Sequence, residues 1–201
     1  MLNIRIKLVE RCFTLDIPYI RFQMANQLIH VKITTPIGEM DVLATENGIC
    51  LLEFFNREEL NDEITATEDH FKITRTNGTI QWIELMTSEL NAYFRGSLQK
   101  FTVPLDLIGT DFQTNVWNAL LEIPYGRART YKEQALALGD LKAILAVAAA
   151  NGKNKLAIIV PCHRVIGIDG NLKGYAGGLD RKRFLLNLER EIAGPKDLFN
   201  S

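Results

Sequence analysis

The hydrophobic period of this chain switches near residue 80, and that switch restricts the fold more than any other feature. Before it, apolar residues alternate: Val31 and Ile33 against Lys32 and Thr34, a turn at Pro36 to Gly38, then a run from Met40 to Thr45. Glu46-Asn47-Gly48 separates that run from Ile49 to Phe55. Asn-Gly between two apolar stretches is a strong hairpin signal, because both residues tolerate the left-handed backbone of a tight turn. Lys72 to Thr74 and Thr79 predict another short strand. From Ile80 the spacing becomes helical: Ile83, Met86, Leu90 and Phe94 recur on one face, and Arg95-Gly96 closes the helix. The first ~95 residues therefore read as a small α+β unit, strands first and a helix last.

Residues 97–110, with Pro104 and Gly109, look like a linker. Beyond them the chain reads as mainly helical. Thr110 or Asp111 caps a helix carrying Phe112, Val116, Trp117, Leu120 and Leu121, stopped by Pro124-Tyr125-Gly126. Thr130 starts a short helix through Leu138, ended by Gly139. Asp140 caps a third, Leu141 to Ala150, ended by Asn151-Gly152. Two short helices around one glycine turn form a helix-turn-helix pattern, although that spacing is common in proteins that bind no nucleic acid. The third helix is rich in alanine, which suits either tight core packing or close approach of its backbone to a groove wall.

Composition narrows the class. At 201 residues, with 47% hydrophobic and 23% charged residues, the chain can bury roughly 70% of its unfolded surface without staples. No apolar run approaches the ~20 residues of a membrane span, and the charged start carries no secretory pattern. Cys12, Cys50 and Cys162 are odd in number and widely spaced, and the three histidines do not cluster with them, which argues against a disulfide framework and a structural zinc site. Free thiols fit a reducing, cytoplasmic compartment. Net charge is −1 but uneven: residues 1–100 carry ten Lys/Arg against fourteen Asp/Glu, residues 101–201 thirteen against ten. Only the second half has the sign to meet a polyanion.

The chemistry concentrates at Pro161-Cys162-His163-Arg164, delivered by the apolar run Leu156 to Val160, which is read as a buried strand or extended segment. Buried His and Arg cost several kcal/mol unless paired, so they pair or line a cleft. Cysteine reacts as thiolate, with a free pKa near ~8.5, so a neighbouring base or cation must raise its ionised fraction. His163 is adjacent in sequence, but successive residues of an extended chain face opposite ways, so a water or another residue is the more plausible link. Asp169, Asp180, Glu189 and Glu191 are all available to orient the base; Glu189 lies on an apparent final helix, Arg181 to Ile192. Five glycines between Gly167 and Gly178 lack phosphate-loop spacing and suit a close-approach lid around Tyr175. Taken alone, Cys162 is either a small buried hydrophobe or a nucleophile.

The order of motifs resembles the methylated-DNA–protein-cysteine methyltransferases, or O6-alkylguanine-DNA alkyltransferases. The match runs through Phe112-Gln113, Val116-Trp117, Ile123-Pro124, Thr130-Tyr131, Asn151-Gly152 and Asn154, then Ile158 to Gly167 with Pro-Cys-His-Arg-Val, Gly174-Tyr175-Ala176-Gly177-Gly178, Lys182 and Leu185 to Glu189. It is close over 112–190, looser around Thr35 to Gly38, and without counterpart in residues 1–30. The resemblance implies an α+β fold: an N-terminal RNase H-like α/β domain (31–96) after an extension (1–30), a linker (97–110), and a helical domain (111–201) with a winged-helix-type helix-turn-helix. It implies a monomer that binds double-stranded DNA carrying O6-alkylguanine through the minor groove, flips the base, and takes the alkyl group onto Cys162 once, without cofactor or metal. His163, acting through a water and polarised by Glu189, would deprotonate Cys162. Tyr131 would press the target phosphate and protonate the leaving guanine, Asn154 would brace the turn, and Val165, Tyr175 and Ala176 would line the base pocket. Arg164 is counted with the substrate-binding residues. Two departures stand out: Leu145 occupies the place of the family's gap-filling arginine, and Lys173 that of a small lid residue. Three rivals remain: a lesion-binding relative without transfer, which normally lacks the cysteine; a regulator, which needs a further cysteine-rich domain; and a cysteine hydrolase, which lacks an evident oxyanion motif.

Overall fold

The computed structural model describes residues 27–194. Cys12 and residues 1–26 of the expected extension lie outside them. Strand β1 (Ile29–Thr35) pairs antiparallel with β2 (Gly38–Thr45), and β2 with β3 (Gly48–Phe54); the turns fall at Pro36-Ile37 and Glu46-Asn47. Helix α1 (Leu60–Phe71) follows, then β4 (Thr76–Asn77), which joins β1 in parallel, and helix α2 (Gln81–Phe94). The sheet order is β3-β2-β1-β4. The expected strand at 72–74 is displaced to Thr76–Asn77.

Sequence reading overlooked α1. Its buried stripe is Leu60, Glu63, Ile64 and Thr67, so half of it is polar and the apolar period is faint. Its place explains the sheet. Met40, Val42, Leu52 and Phe54 pack with Ile83, Met86, Leu90 and Tyr93 on one face, and Leu43, Cys50 and Leu51 meet Leu60 and Ile64 on the other. Both faces are covered, which is why β3 reads as a nearly continuous apolar run instead of alternating.

The expected linker is laid against the sheet. Ile49 donates to Pro104 O at 2.9 Å and Asp106 donates to Ile49 O at 2.9 Å, while Glu89 accepts from the backbone of Thr102 and Val103. Further along the same edge, Leu52 donates to Lys155 O at 2.8 Å and Ala157 to Leu52 O at 2.9 Å. The outer edge of β3 thus joins the two halves of the chain.

In the second half, α3 (Asp111–Leu121) and α4 (Tyr131–Ala137) each begin with a full capping box, Thr110 with Gln113 and Thr130 with Glu133. Asp140 caps a single 3-10 turn, Leu141–Ala143, accepting from Lys142 N at 2.8 Å, before α5 (Ile144–Gly152). Buried Gln134 and Asn151 exchange amide hydrogen bonds at 2.7 and 3.3 Å and lock α4 to α5. Strand β5 (Arg129–Thr130) pairs in parallel with β6 (Val165–Ile166), and α6 (Leu179–Ala193) is the last helix among the described residues.

The buried run 156–160 is not a strand. After a bridge to Leu52 it turns, with Ile158 at φ 72° and Val160 donating to Leu156 O at 2.9 Å. A left-handed β-branched residue costs ~1–3 kcal/mol and persists only where its surroundings impose it. Here it reverses the chain just before Pro161-Cys162.

Candidate active site

Cys162, His163 and Arg164 form a single 3-10 turn beneath a cleft of about 600 Å³. Tyr131 of α4, Leu145 and Ala148 of α5, Cys162, and Tyr175 and Ala176 of the glycine-rich loop line that cleft together. The turn replaces the extended backbone expected at Cys162-His163, yet no hydrogen bond joins those two side chains among the described residues.

Cys162 is 8% exposed. Asn154 Nδ2 donates to its Sγ at 3.3 Å and to Val160 O at 2.9 Å, while Asn154 Oδ1 accepts from Leu156 N at 3.0 Å. One side chain therefore fixes the turn and touches the sulfur. Burial pushes the thiol up to about 11; the Asn154 hydrogen bond and the Lys182 charge oppose that, and Glu53 adds to it. Unaided, such a thiol is almost wholly protonated at neutral pH.

His163 is fully buried, and its Nε2 lies 2.8 Å from Glu189 Oε1. A carboxylate at that nitrogen assigns the ring proton to Nε2 and leaves Nδ1 as the basic lone pair. Nδ1 has no protein partner. Burial pushes His163 below its ordinary value against the pull of Glu189, so the ring is neutral at pH 7. Glu189, also fully buried, collects donors: Tyr93 Oη at 2.7 Å, Gly126 N at 3.1 Å, and Arg164 Nε and Nη2 at 2.9 Å each. Burial alone would raise the Glu189 carboxyl, but the hydrogen bond donated by the neutral His163 ring and the charge and hydrogen bonds of Arg164 outweigh it and hold the group well below the usual carboxylate range.

Arg164 corrects the sequence reading. It spends its donors on Glu189 and, at 2.6 Å, on Ile123 O, and it faces a different cleft with Tyr125 and Pro161. It is a counter-ion for Glu189 and does not line the Cys162 cleft. Val165 is fully buried in the core beside Cys162. Tyr131 Oη donates to Lys173 O at 3.3 Å, and burial, then Cys162, raises its phenol, so it holds its proton. Tyr175 Oη is buried without a partner, its ring edge-on to His163 at 6.5 Å between centroids. Leu145 is 85% exposed, on a face shared with Lys142, Ala146 and Ala149. Lys173 uses its backbone carbonyl, while its exposed ammonium pairs with Asp169 at 3.2 Å.

Two groups carry roles that sequence reading did not assign: Lys182, which falls in the motif match without a role, and Arg57. Lys182 is fully buried, and Nζ donates to Val165 O at 2.6 Å, Lys173 O at 2.7 Å and Gly174 O at 3.2 Å; burial lowers it to about 8. A signal existed: Lys182, Leu185 and Glu189 share one helical stripe, so a lysine and a glutamate lie on an otherwise apolar face. Arg57, after β3, is ringed by Glu53 at 3.0 Å, Glu63 at 3.0 Å and Glu59 at 3.5 Å, and donates to Gly152 O at 3.4 Å. Nothing in the local sequence announces that cluster. Among the described residues no three His, Cys, Asp or Glu side chains come together as a metal site, and no helix is long and apolar enough to cross a membrane.

The comparisons with known proteins agree over both halves. Residues 28–107 match the ribonuclease-like domain, and residues 111–191 the DNA binding domain, of 6-O-methylguanine DNA methyltransferase. A methylated-DNA–protein-cysteine methyltransferase of Methanosarcina barkeri is 45% identical over 163 residues, 78% of this chain and 94% of that protein. The Mycobacterium tuberculosis protein of the same name is 60% identical over 110 residues, 55% of this chain and 66% of that protein. The crystal structure of Mycobacterium tuberculosis OGT in complex with DNA superposes with a TM-score of 0.71 at 41% identity, covering 82% of this chain and 94% of that one. With both domain matches in sequence order and a relative covered almost end to end, the chain belongs to the methylated-DNA–protein-cysteine methyltransferase family.

Proposed function

We propose that this protein repairs DNA by transferring the alkyl group of O6-alkylguanine directly and irreversibly to Cys162. The observation that carries the reading is the buried Cys162–Asn154 and His163–Glu189 arrangement, open to a cleft whose wall is the second helix of a helix-turn-helix. The enzyme is a methylated-DNA–[protein]-cysteine S-methyltransferase, consumed in one turnover.

In the proposed mechanism, His163 Nδ1 takes the Cys162 proton through one bridging water, and Glu189 stabilises the imidazolium that forms. The thiolate attacks the alkyl carbon; the S–C bond forms as the C–O6 bond breaks, and the electron pair leaves with the guanine. Tyr131, protonated and at the cleft, supplies a proton to the departing base. Asn154 contributes a hydrogen bond to the developing charge on sulfur before attack. The atoms balance without cofactor or metal.

Duplex DNA meets α5 in the minor groove. What supports this is the exposed face of Leu145, Ala146 and Ala149, small enough for a backbone to approach closely, with Leu145 placed to wedge where a base has left the stack. Phosphate contacts supply most of the affinity, so binding falls with salt. We read residues 31–96 and 111–201 as the two domains, a monomer as the working form, and the cytoplasm as the compartment; the free thiols of Cys50 and Cys162 support the last.

The test is incubation with duplex DNA containing O6-methylguanine, followed by intact-mass and peptide analysis. One methyl per chain on Cys162, and none on Cys162→Ala, is expected. A chain that binds the lesion but gains no mass is a lesion-binding protein and overturns the reading.

A further inference from the structure

Two consecutive cations of α6, Arg181 and Lys182, grip the glycine-rich loop from opposite ends. The three Lys182 bonds hold its incoming leg, at Lys173 and Gly174, against β6. Arg181 holds the outgoing leg: Nη1 donates to Gly177 O at 2.8 Å. The same guanidinium donates through Nε to Ile37 O at 2.7 Å, in the β1–β2 turn, and lies over the Phe54 ring of β3 at 4.2 Å. Gly177 rests on that ring too, since a Cβ there would fall 2.7 Å from two of its carbons. Neighbouring helix positions diverge by about 100°, which lets one side chain take each leg. Between the legs stand only Tyr175 and Ala176, both lining the Cys162 cleft. Every acceptor is a backbone carbonyl, so the grip is independent of most lid side chains.

Building on the alkyl-transfer reading, we propose that Arg181 and Lys182 are positioning residues that clamp the lid at both ends, and that Arg181 with Phe54 makes the N-terminal domain part of the base pocket, setting how well a guanine unattached to DNA reacts. A base in duplex DNA arrives on a tether held by phosphate contacts, so the pocket walls supply only part of its alignment. A free base has the walls alone, and Tyr175 is the largest of them. Lid order therefore enters the free-base rate in full and the duplex rate in part.

The experiment compares second-order rate constants for methylated duplex DNA and for free O6-benzylguanine in the wild-type chain, Arg181→Met, Arg181→Lys and Phe54→Leu, with melting temperatures alongside. Arg181→Met and Phe54→Leu should lower the free-base rate about tenfold, the scale of one charge-assisted hydrogen bond or well-packed contact, and the duplex rate less than about threefold. Arg181→Lys keeps the charge over the ring but cannot fork to both carbonyls, so it should fall between. If Arg181→Met does not fold, the other two variants decide. A duplex-to-free-base ratio equal to wild type in all folded variants overturns the clamp, including the case in which both rates fall together with the melting temperature. Failure of the underlying reading looks different: the wild-type chain would then take no alkyl group on Cys162 from either substrate.

Discussion

Replacing Glu189 with glutamine tests the proton relay at its most connected atom pair. The substitution keeps shape and removes charge. Arg164 is 6% exposed and loses the carboxylate that accepts two of its donors, and one face of the new amide presents N–H groups to other donors. Removing one partner of a buried ion pair costs ~3–5 kcal/mol. For a chain this size that lowers the melting temperature by roughly 6–20 °C and leaves the protein folded at 25 °C. The rate effect is separable. Without a polarised His163, the reactive thiolate must come from Cys162's own ionisation, and burial holds that thiol up at about 11. At pH 7.5 the ionised fraction is then about 3 in 10,000, so transfer should slow by up to roughly three thousandfold, within the ~10²–10⁴ range of general-base terms. The sign with pH follows: the variant's rate should rise about tenfold per pH unit toward 11 and converge on a flatter wild-type profile. Single-turnover transfer from methylated duplex, measured at 15 °C on protein shown folded by circular dichroism, gives both curves. A folded Glu189→Gln protein reacting at the wild-type rate at pH 7.5, or one whose deficit does not shrink as pH rises, refutes the relay.

Three further outcomes are expected. S-methylation of Cys162 adds a carbon to a close-packed site, so the reacted protein should melt lower by an amount equivalent to ~1–3 kcal/mol; an unchanged or raised melting temperature contradicts this. Leu145 cannot hydrogen-bond the base left unpaired by flipping, so Leu145→Arg should speed duplex repair about tenfold and leave free O6-benzylguanine unaffected; equal acceleration on both substrates sinks the idea. Burial raises Glu53 to about 8 despite Arg57, with Glu63 adding to the rise. A folded value above the unfolded one means its contribution is full below pH ~4.5 and is lost as pH climbs toward 8, so Glu53→Gln should shed a decline of a few kcal/mol between pH 5 and 8. Parallel urea-unfolding stabilities for variant and wild type across that range would count against it.

Local physics made much of this protein legible in its residues. Glu46-Asn47-Gly48 marked a hairpin, although its turn falls at Glu46-Asn47 and Asn47 does not take the left-handed backbone of an Asn-Gly turn; Thr110 or Asp111 and Thr130 marked helix starts, and Gly139-Asp140 a turn between two helices, because each is a contract between residues a few positions apart. The Pro-Cys-His-Arg order was different: by chemistry alone Cys162 could be a buried hydrophobe or a nucleophile, and the resemblance to the methyltransferase family is what marked it as the nucleophile. What needed the tertiary structure was every relation across distance. Helix α1 hid because two of its four buried positions are polar, and those positions are tolerated only where Arg57 and a backbone carbonyl meet them. The apolar run 156–160 had the composition of a strand but not its backbone, since the β3 edge takes only Leu156 and Ala157 before Ile158 turns away. Arg164 could have faced substrate or relay; its partner lies 25 residues away on α6, and only the packing of that helix against the Cys162 turn decided between them. Side-chain type limits what a residue can do, but the desolvation that shifts Cys162, His163 and Lys182, and the buried partners that outweigh it at Glu189, depend on what covers each group, and coverage is a property of the assembled fold.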